Sequence, residues 1–166
     1  MSDDKVTLIL DDTPHSSAMI KDTVLSLGMK PIRVISTIDE AKKSVLSENL
    51  SVIIMEMKLE NESTLELVNW LRKINNQNKT VPIIALTQNA TKELVTSARD
   101  TGVSEFVLKP FTSAALSSAI LSVMKHPRNF IITRNYAGPD RRRKEIAPPD
   151  GEEKRNVIKH KDNATS

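Results

Sequence analysis

Five short apolar runs rich in β-branched residues, at 6–10, 31–35, 52–55, 82–86 and 105–108, alternate with five stretches of helical spacing. The helical stretches are 16–27, carrying Ile20, Val24 and Leu27, then 39–47, 63–74, 92–101, and 113–125, carrying Leu116, Ile120 and Met124. Local start signals agree with this reading: Thr13 precedes Pro14, Thr37 precedes Ile38-Asp39-Glu40, and Thr112 precedes Ser113, each an N-cap followed by helix-compatible residues. Gly28 and Gly102 end the first and fourth helical stretches, where a left-handed residue is wanted. Near-continuous apolar strands separated by helices belong in a parallel sheet covered on both faces, so the expected fold is a doubly wound α/β sandwich.

The 166 residues suffice for one such domain and an extension, and a core built of aliphatics suits a chain that is 39% hydrophobic and only 3% aromatic. The absence of cysteine excludes a disulfide framework, a thiolate metal site and a thiol nucleophile. No GxGxxG or GxxxxGK[ST] occurs, so dinucleotide-cofactor and P-loop readings fall away. The start, MSDDKVTLILDD, carries acids where a secretory signal needs basic residues, and no run approaches the roughly 18 apolar residues of a membrane span. A cytoplasmic protein is expected. Charge divides the chain: residues 1–126 hold 14 Lys and Arg against 15 Asp and Glu, while residues 127–166 hold 10 against 6. The basic character therefore belongs to the C-terminal tail.

In an open α/β sheet ligands sit beyond the carboxyl ends of the strands. The residues there are Asp11-Asp12, Glu56, Thr87 and Lys109. Three carboxylates (Asp11, Asp12 and Glu56) suit a hard divalent ion such as Mg²⁺, and the Lys109 ammonium offsets a phosphoryl charge or pairs with a carboxylate. The Lys109-Pro110 bond is a candidate for the cis form. His15 reads as a solvated first-turn residue and Trp70 as packing within the third helix.

These features together make residues 5–126 resemble the receiver domain of two-component response regulators. The likeness is carried by LILDD, the acid ending VIIME, the threonine of PIIALT, Phe106, and FVLKPF, all at the expected strand ends and in order. The resemblance implies a flavodoxin-like five-stranded sheet of order 2-1-3-4-5 with five helices. It also implies an acid pair at Asp11 and Asp12 holding Mg²⁺, switch residues Thr87 and Phe106, and a phosphate-pairing Lys109. One departure stands out: Glu56 occupies the place of the family's phospho-accepting aspartate, and the following MKLENEST has Glu60 and Thr64 where the family usually has proline and glycine. The extra methylene carries the carboxylate about one bond further into the pocket, and misplacement of about 1 Å costs phosphotransfer roughly a hundredfold. Phosphorylation at Glu56 is therefore not expected, and its carboxylate is instead expected to reach Lys109 or Thr87.

Beyond Lys125 the pattern stops at His126-Pro127. Residues 127–146 form an arginine-rich extension in which Phe130, Ile131, Ile132 and Tyr136 are free to dock on the domain, and residues 147–166 carry the composition of a disordered tail. Tyr136, Asp140, Arg141, Arg142 and Arg143 form a candidate anion site; similar arginine-rich extensions on chemotaxis-type single-domain receivers bind cyclic di-GMP. One short basic run with few aromatics argues against specific DNA binding.

The expected function is that of a stand-alone pseudo-receiver, a signalling adaptor and not an enzyme. It would contact a signalling protein through the face of the fourth helix, fifth strand and fifth helix. Two alternatives accompany it: a conventional Mg²⁺-dependent receiver phosphorylated by a histidine kinase, and a cyclic di-GMP effector reading its ligand through the arginine tail.

Overall fold

The computed structural model describes residues 4–140 and 156–158. The five apolar runs form β1 (Val6–Leu10), β2 (Ile32–Ile35), β3 (Leu50–Glu56), β4 (Ile83–Thr87) and β5 (Glu105–Leu108), and the sheet order is β2-β1-β3-β4-β5. All four pairings are parallel. The helices are α1 (Pro14–Ser26), α2 (Ile38–Ser47), α3 (Leu65–Lys73), α4 (Lys92–Thr101) and α5 (Ser113–Lys125), with a 3-10 turn at Gln77–Thr80 before β4. This is the doubly wound parallel sheet read from the residues, in the flavodoxin-like strand order that the resemblance implies.

Strand side chains alternate between two core layers, as the pleat requires. Leu8, Leu10, Ile53, Met55, Ile83 and Ala85 pack beneath α2, α3 and α4. Ile9, Val52, Ile54, Ile84 and Leu86 pack beneath α1 and α5. The central strands are therefore apolar on both faces, and their polar ends alone meet solvent.

Boundaries differ from expectation where tertiary hydrogen bonds intervene. β3 begins at Leu50, two residues early, because Asn78 Oδ1 accepts from the Leu50 N–H at 2.9 Å while its amide donates to Val45 and Glu48 O, both at 2.7 Å. This buried amide ties the α2 end, the β3 start and the 3-10 turn together. Asn78→Ala should cost about 2 kcal/mol, read as a lower urea midpoint, since it orphans the buried Leu50 N–H and Val45 O. α3 begins at Leu65 and not 63, because Ser63 bridges to Lys58 and the buried Thr64 hydroxyl donates to Glu56 O and Met57 O. Helix starts at Thr37, in a full capping box, and at Thr112 follow the sequence signals. Thr13 does not: its side chain caps nothing, and its N–H is taken by Asp11 Oδ1 at 2.8 Å. Trp70 is half-buried against the α2–α4 layer with Lys42 5.5 Å above its ring, as packing requires.

The extension folds onto the domain. β6 (Phe130–Thr133) and β7 (Tyr136–Pro139) form an antiparallel hairpin that buries Phe130 and Ile131. A third strand, β8 (Asn156–Ile158), pairs antiparallel with β6. These three residues belong to the stretch expected to be disordered; the remainder of 147–166 lies outside the described residues, as do Arg141, Arg142 and Arg143.

Candidate functional site

Parallel pairing brings the ends of β1, β3, β4 and β5 to one edge, so Asp11, Glu56, Thr87 and Lys109 approach although they are far apart in sequence. Glu56, Thr87 and Lys109 border an open cleft of about 630 Å³ that is walled by Asp12, Glu60, Asn89 and Leu94, with Asp11 buried beneath it. At its floor the Lys109 ammonium lies 2.5 Å from Glu56 Oε2 and 3.3 Å from Asp11 Oδ2. Ser16, on the first turn of α1, closes the network: its hydroxyl donates to Asp11 Oδ2 at 2.5 Å and accepts from Lys109 Nζ at 2.8 Å. The peptide bond Lys109-Pro110 is cis.

This network is nearly dry. The Asp11 side chain is fully buried, and those of Glu56 and Lys109 are each 13% exposed. Burial alone would lower the Lys109 ammonium, but its hydrogen bond to Glu56 and the charges of Asp11 and Glu56 outweigh that and hold it above its ordinary value. The cation is thus permanent at neutral pH.

Two expected members do not join. Asp12 is exposed, and its Oδ2 accepts from the Glu60 N–H at 2.7 Å, which binds it to the loop after β3. The Thr87 hydroxyl is buried and turned along its own chain, donating to Asn89 O and accepting from the Asn89 N–H, both at 3.2 Å. The carboxylate of Glu56 therefore reaches Lys109 and not Thr87. Phe106 is half-buried against the α2–α4 layer. His15 is exposed, at the rim of a neighbouring groove shared with Met19, Lys109 and Phe111.

Residue-type reasoning missed Ser16 and the Glu60 amide. The only available signal for Ser16 was a hydroxyl on the first turn of the helix that follows the acid pair. At the other end of the chain, the Tyr136 hydroxyl donates to Pro139 O at 2.7 Å and the Asp140 N–H to Asn129 O at 2.6 Å. Both residues are thereby placed on the docked hairpin.

Residues 7–121 match the profile of the response regulator receiver domain. The chain belongs to this family. Among similar receivers is the chemotaxis protein CheY1 of Helicobacter pylori strain J99, 29% identical over 118 residues that cover 70% of this chain and 94% of that protein. The fold also matches the chemotaxis response regulator CheY4 of Vibrio cholerae, with a TM-score of 0.66, 23% identity, and coverage of 72% of this chain and 98% of that one. A third receiver, from the sensor histidine kinase PA1611 of Pseudomonas aeruginosa, aligns with a TM-score of 0.65 and 24% identity over 73% of this chain and 98% of that one. Its structure holds a magnesium ion in the active-site cleft.

Receiver domains typically bind Mg²⁺, so the donors present here can be tested against that ion. Among the described residues no three His, Asp or Glu side chains gather closely enough to share an ion, so Asp11, Asp12 and Glu56 do not converge as a three-carboxylate cage. The Lys109 ammonium lies against both Asp11 and Glu56, and Asp12 accepts from the Glu60 N–H. Of the described helices none is long and apolar enough to cross a membrane.

Proposed function

We propose that this receiver domain works as a pseudo-receiver: Glu56 stands at the acceptor position, takes no phosphate, and is satisfied by Lys109. The 2.5 Å ion pair between Lys109 and Glu56 carries this reading. A carboxylate already neutralised by a buried ammonium is a poor nucleophile, and its longer side chain moves the attacking oxygen out of line with any incoming phosphorus. Signalling then proceeds through protein contacts on the face of α4, β5 and α5, where Leu108 is 56% exposed on the outer strand. The partner class is another protein of a two-component or chemotaxis-like pathway, and the domain acts as an adaptor and not as an enzyme.

The test is an amide-resolved NMR titration of the full chain with Mg²⁺ and then beryllofluoride, which stands in for an acyl phosphate. Wild type should show no shifts propagating from Glu56 to Thr87 and Phe106. Glu56→Asp withdraws the carboxylate by one methylene. It should gain Mg²⁺-dependent phosphoryl incorporation from a small-molecule acyl phosphate by roughly a hundredfold over wild type, in line with the cost of about 1 Å of misplacement. Stoichiometric phosphate on wild-type Glu56 would overturn the reading in favour of a conventional receiver served by a histidine kinase.

A further inference from the structure

We infer that the C-terminal hairpin is a strap that sets the position of α4 and, through it, the wall of the acidic cleft. α4 is weakly rooted in the core: only Ala98 of its ten residues is buried, whereas α2, α3 and α5 each bury four. Its C-terminal end is held instead by a contact built on two glycines. Gly102 ends the helix at φ +120°, and a Cβ there would lie 2.9 Å from Arg72 Cγ and 3.2 Å from Ala137 O of the hairpin. A Cβ on Gly138 would lie 2.6 Å from the Tyr136 hydroxyl oxygen and 2.9 Å from Gly102 Cα. Helix end and hairpin therefore meet backbone to backbone, at a separation no side chain permits.

Arg72 locks this junction from beneath. Its Nε and Nη2 donate to Gly102 O at 3.1 and 2.9 Å, and its Nη1 donates to Lys79 O and Val81 O at 2.7 and 2.8 Å. The ring of Phe130, from β6, covers the guanidinium with its centroid 5.4 Å away. A receiver core without the hairpin would leave this cation and these carbonyls facing water. The core and the extension thus share one polar keystone.

The opposite end of α4 borders the site. Leu94 and Asn89 line the cleft, and Asn89 brackets the Thr87 hydroxyl. A ten-residue helix spans about 15 Å, so a helix pinned at Gly102 and thinly packed along its length transmits a shift at one end to the other. Anything that binds the undocked hairpin more tightly than the docked one biases the cleft by that difference in affinity, and the cleft biases the hairpin in return.

Hydrogen exchange on the full chain tests this, comparing wild type with Gly138→Ala and Gly138→Val; the valine displaces the hairpin even where alanine is absorbed. The expected result is at least tenfold faster exchange at the amides of α4 and Val103, with resonance shifts at Thr87 and Asn89 and unchanged protection in α1 and α5. Faster exchange in β6 and β7 with α4 unaltered would overturn the inference. So would uniform acceleration across the central sheet, which would make the hairpin a general support, or full hairpin protection in both variants, which would make the glycine contact irrelevant.

Discussion

Arg72→Ala is expected to remove about 4–5 kcal/mol of stability, in the exceptional range for a single substitution and comparable to the whole stability of a marginal domain. Arg72 is 1% exposed, and its guanidinium supplies the hydrogen bonds of three carbonyls, those of Gly102, Lys79 and Val81. Truncation leaves those acceptors dry and unpaired, at about 1–3 kcal/mol for each orphaned group, and opens a cavity under Phe130 and α4. Relaxation and entering water return part of the sum. Burial pushes the guanidinium down to about 9, with Tyr136 acting the other way. At pH 7 it is charged in both folded and unfolded chains, so the loss should be flat from pH 5 to about pH 8. Urea unfolding across that range checks both magnitude and flatness. Arg72→Lys keeps the charge but not the planar fork that serves three carbonyls at once, and it should fall between alanine and wild type.

Lys109→Ala is expected to cost about 3 kcal/mol, the low end for breaking a buried ion pair, because Glu56 and Lys109 keep a little exposure. The variant leaves Asp11 and Glu56 without their shared cation, with the Ser16 hydroxyl and the Thr13 N–H still donating to Asp11. In wild type the ammonium is held above its ordinary value of 10.5. Its contribution is fully present below that value and is lost only as pH rises through the higher folded value. Thermal unfolding at pH 7.5, well below that range, reads the deficit at its full size. Millimolar Mg²⁺ should raise the melting temperature of Lys109→Ala more than that of wild type, since the variant removes the ammonium that lies against Asp11 and Glu56. A variant as stable as wild type at pH 7.5 would show the carboxylates to be hydrated, and the pairing idle.

Much of the domain is legible in the sequence. Strand and helix type, the parallel doubly wound sheet and the strand-end positions of Asp11, Glu56, Thr87 and Lys109 all follow from periodicity and punctuation. The misreadings have physical causes. Thr13 begins α1 without a side-chain cap, and its backbone N–H donates to the neighbouring Asp11 carboxylate. Asp12 meets the Glu60 amide of the loop after β3, a partner that no local pattern announces. The extension could be read either as docked or as solvated, because four aromatic and aliphatic side chains within a polar stretch do not by themselves reveal a surface to bury them. Arg72 carried a faint signal, a cation following Leu65, Val68 and Leu71 on the apolar stripe of α3, but nothing local says that a cation there will be buried.

By itself, then, the sequence determined what is local: apolar runs that must be strands, stripes that must be helices, caps at Thr37 and Thr112, and turns at Gly28 and Gly102. Each depends on neighbours within a few residues. Only the tertiary structure decided that Lys109 meets Asp11 across 98 positions of chain and that Arg72 finds Gly102 across 30. Those meetings depend on where crossover helices deliver the strand ends and on how closely two glycine backbones can pack, and no local pattern encodes that geometry.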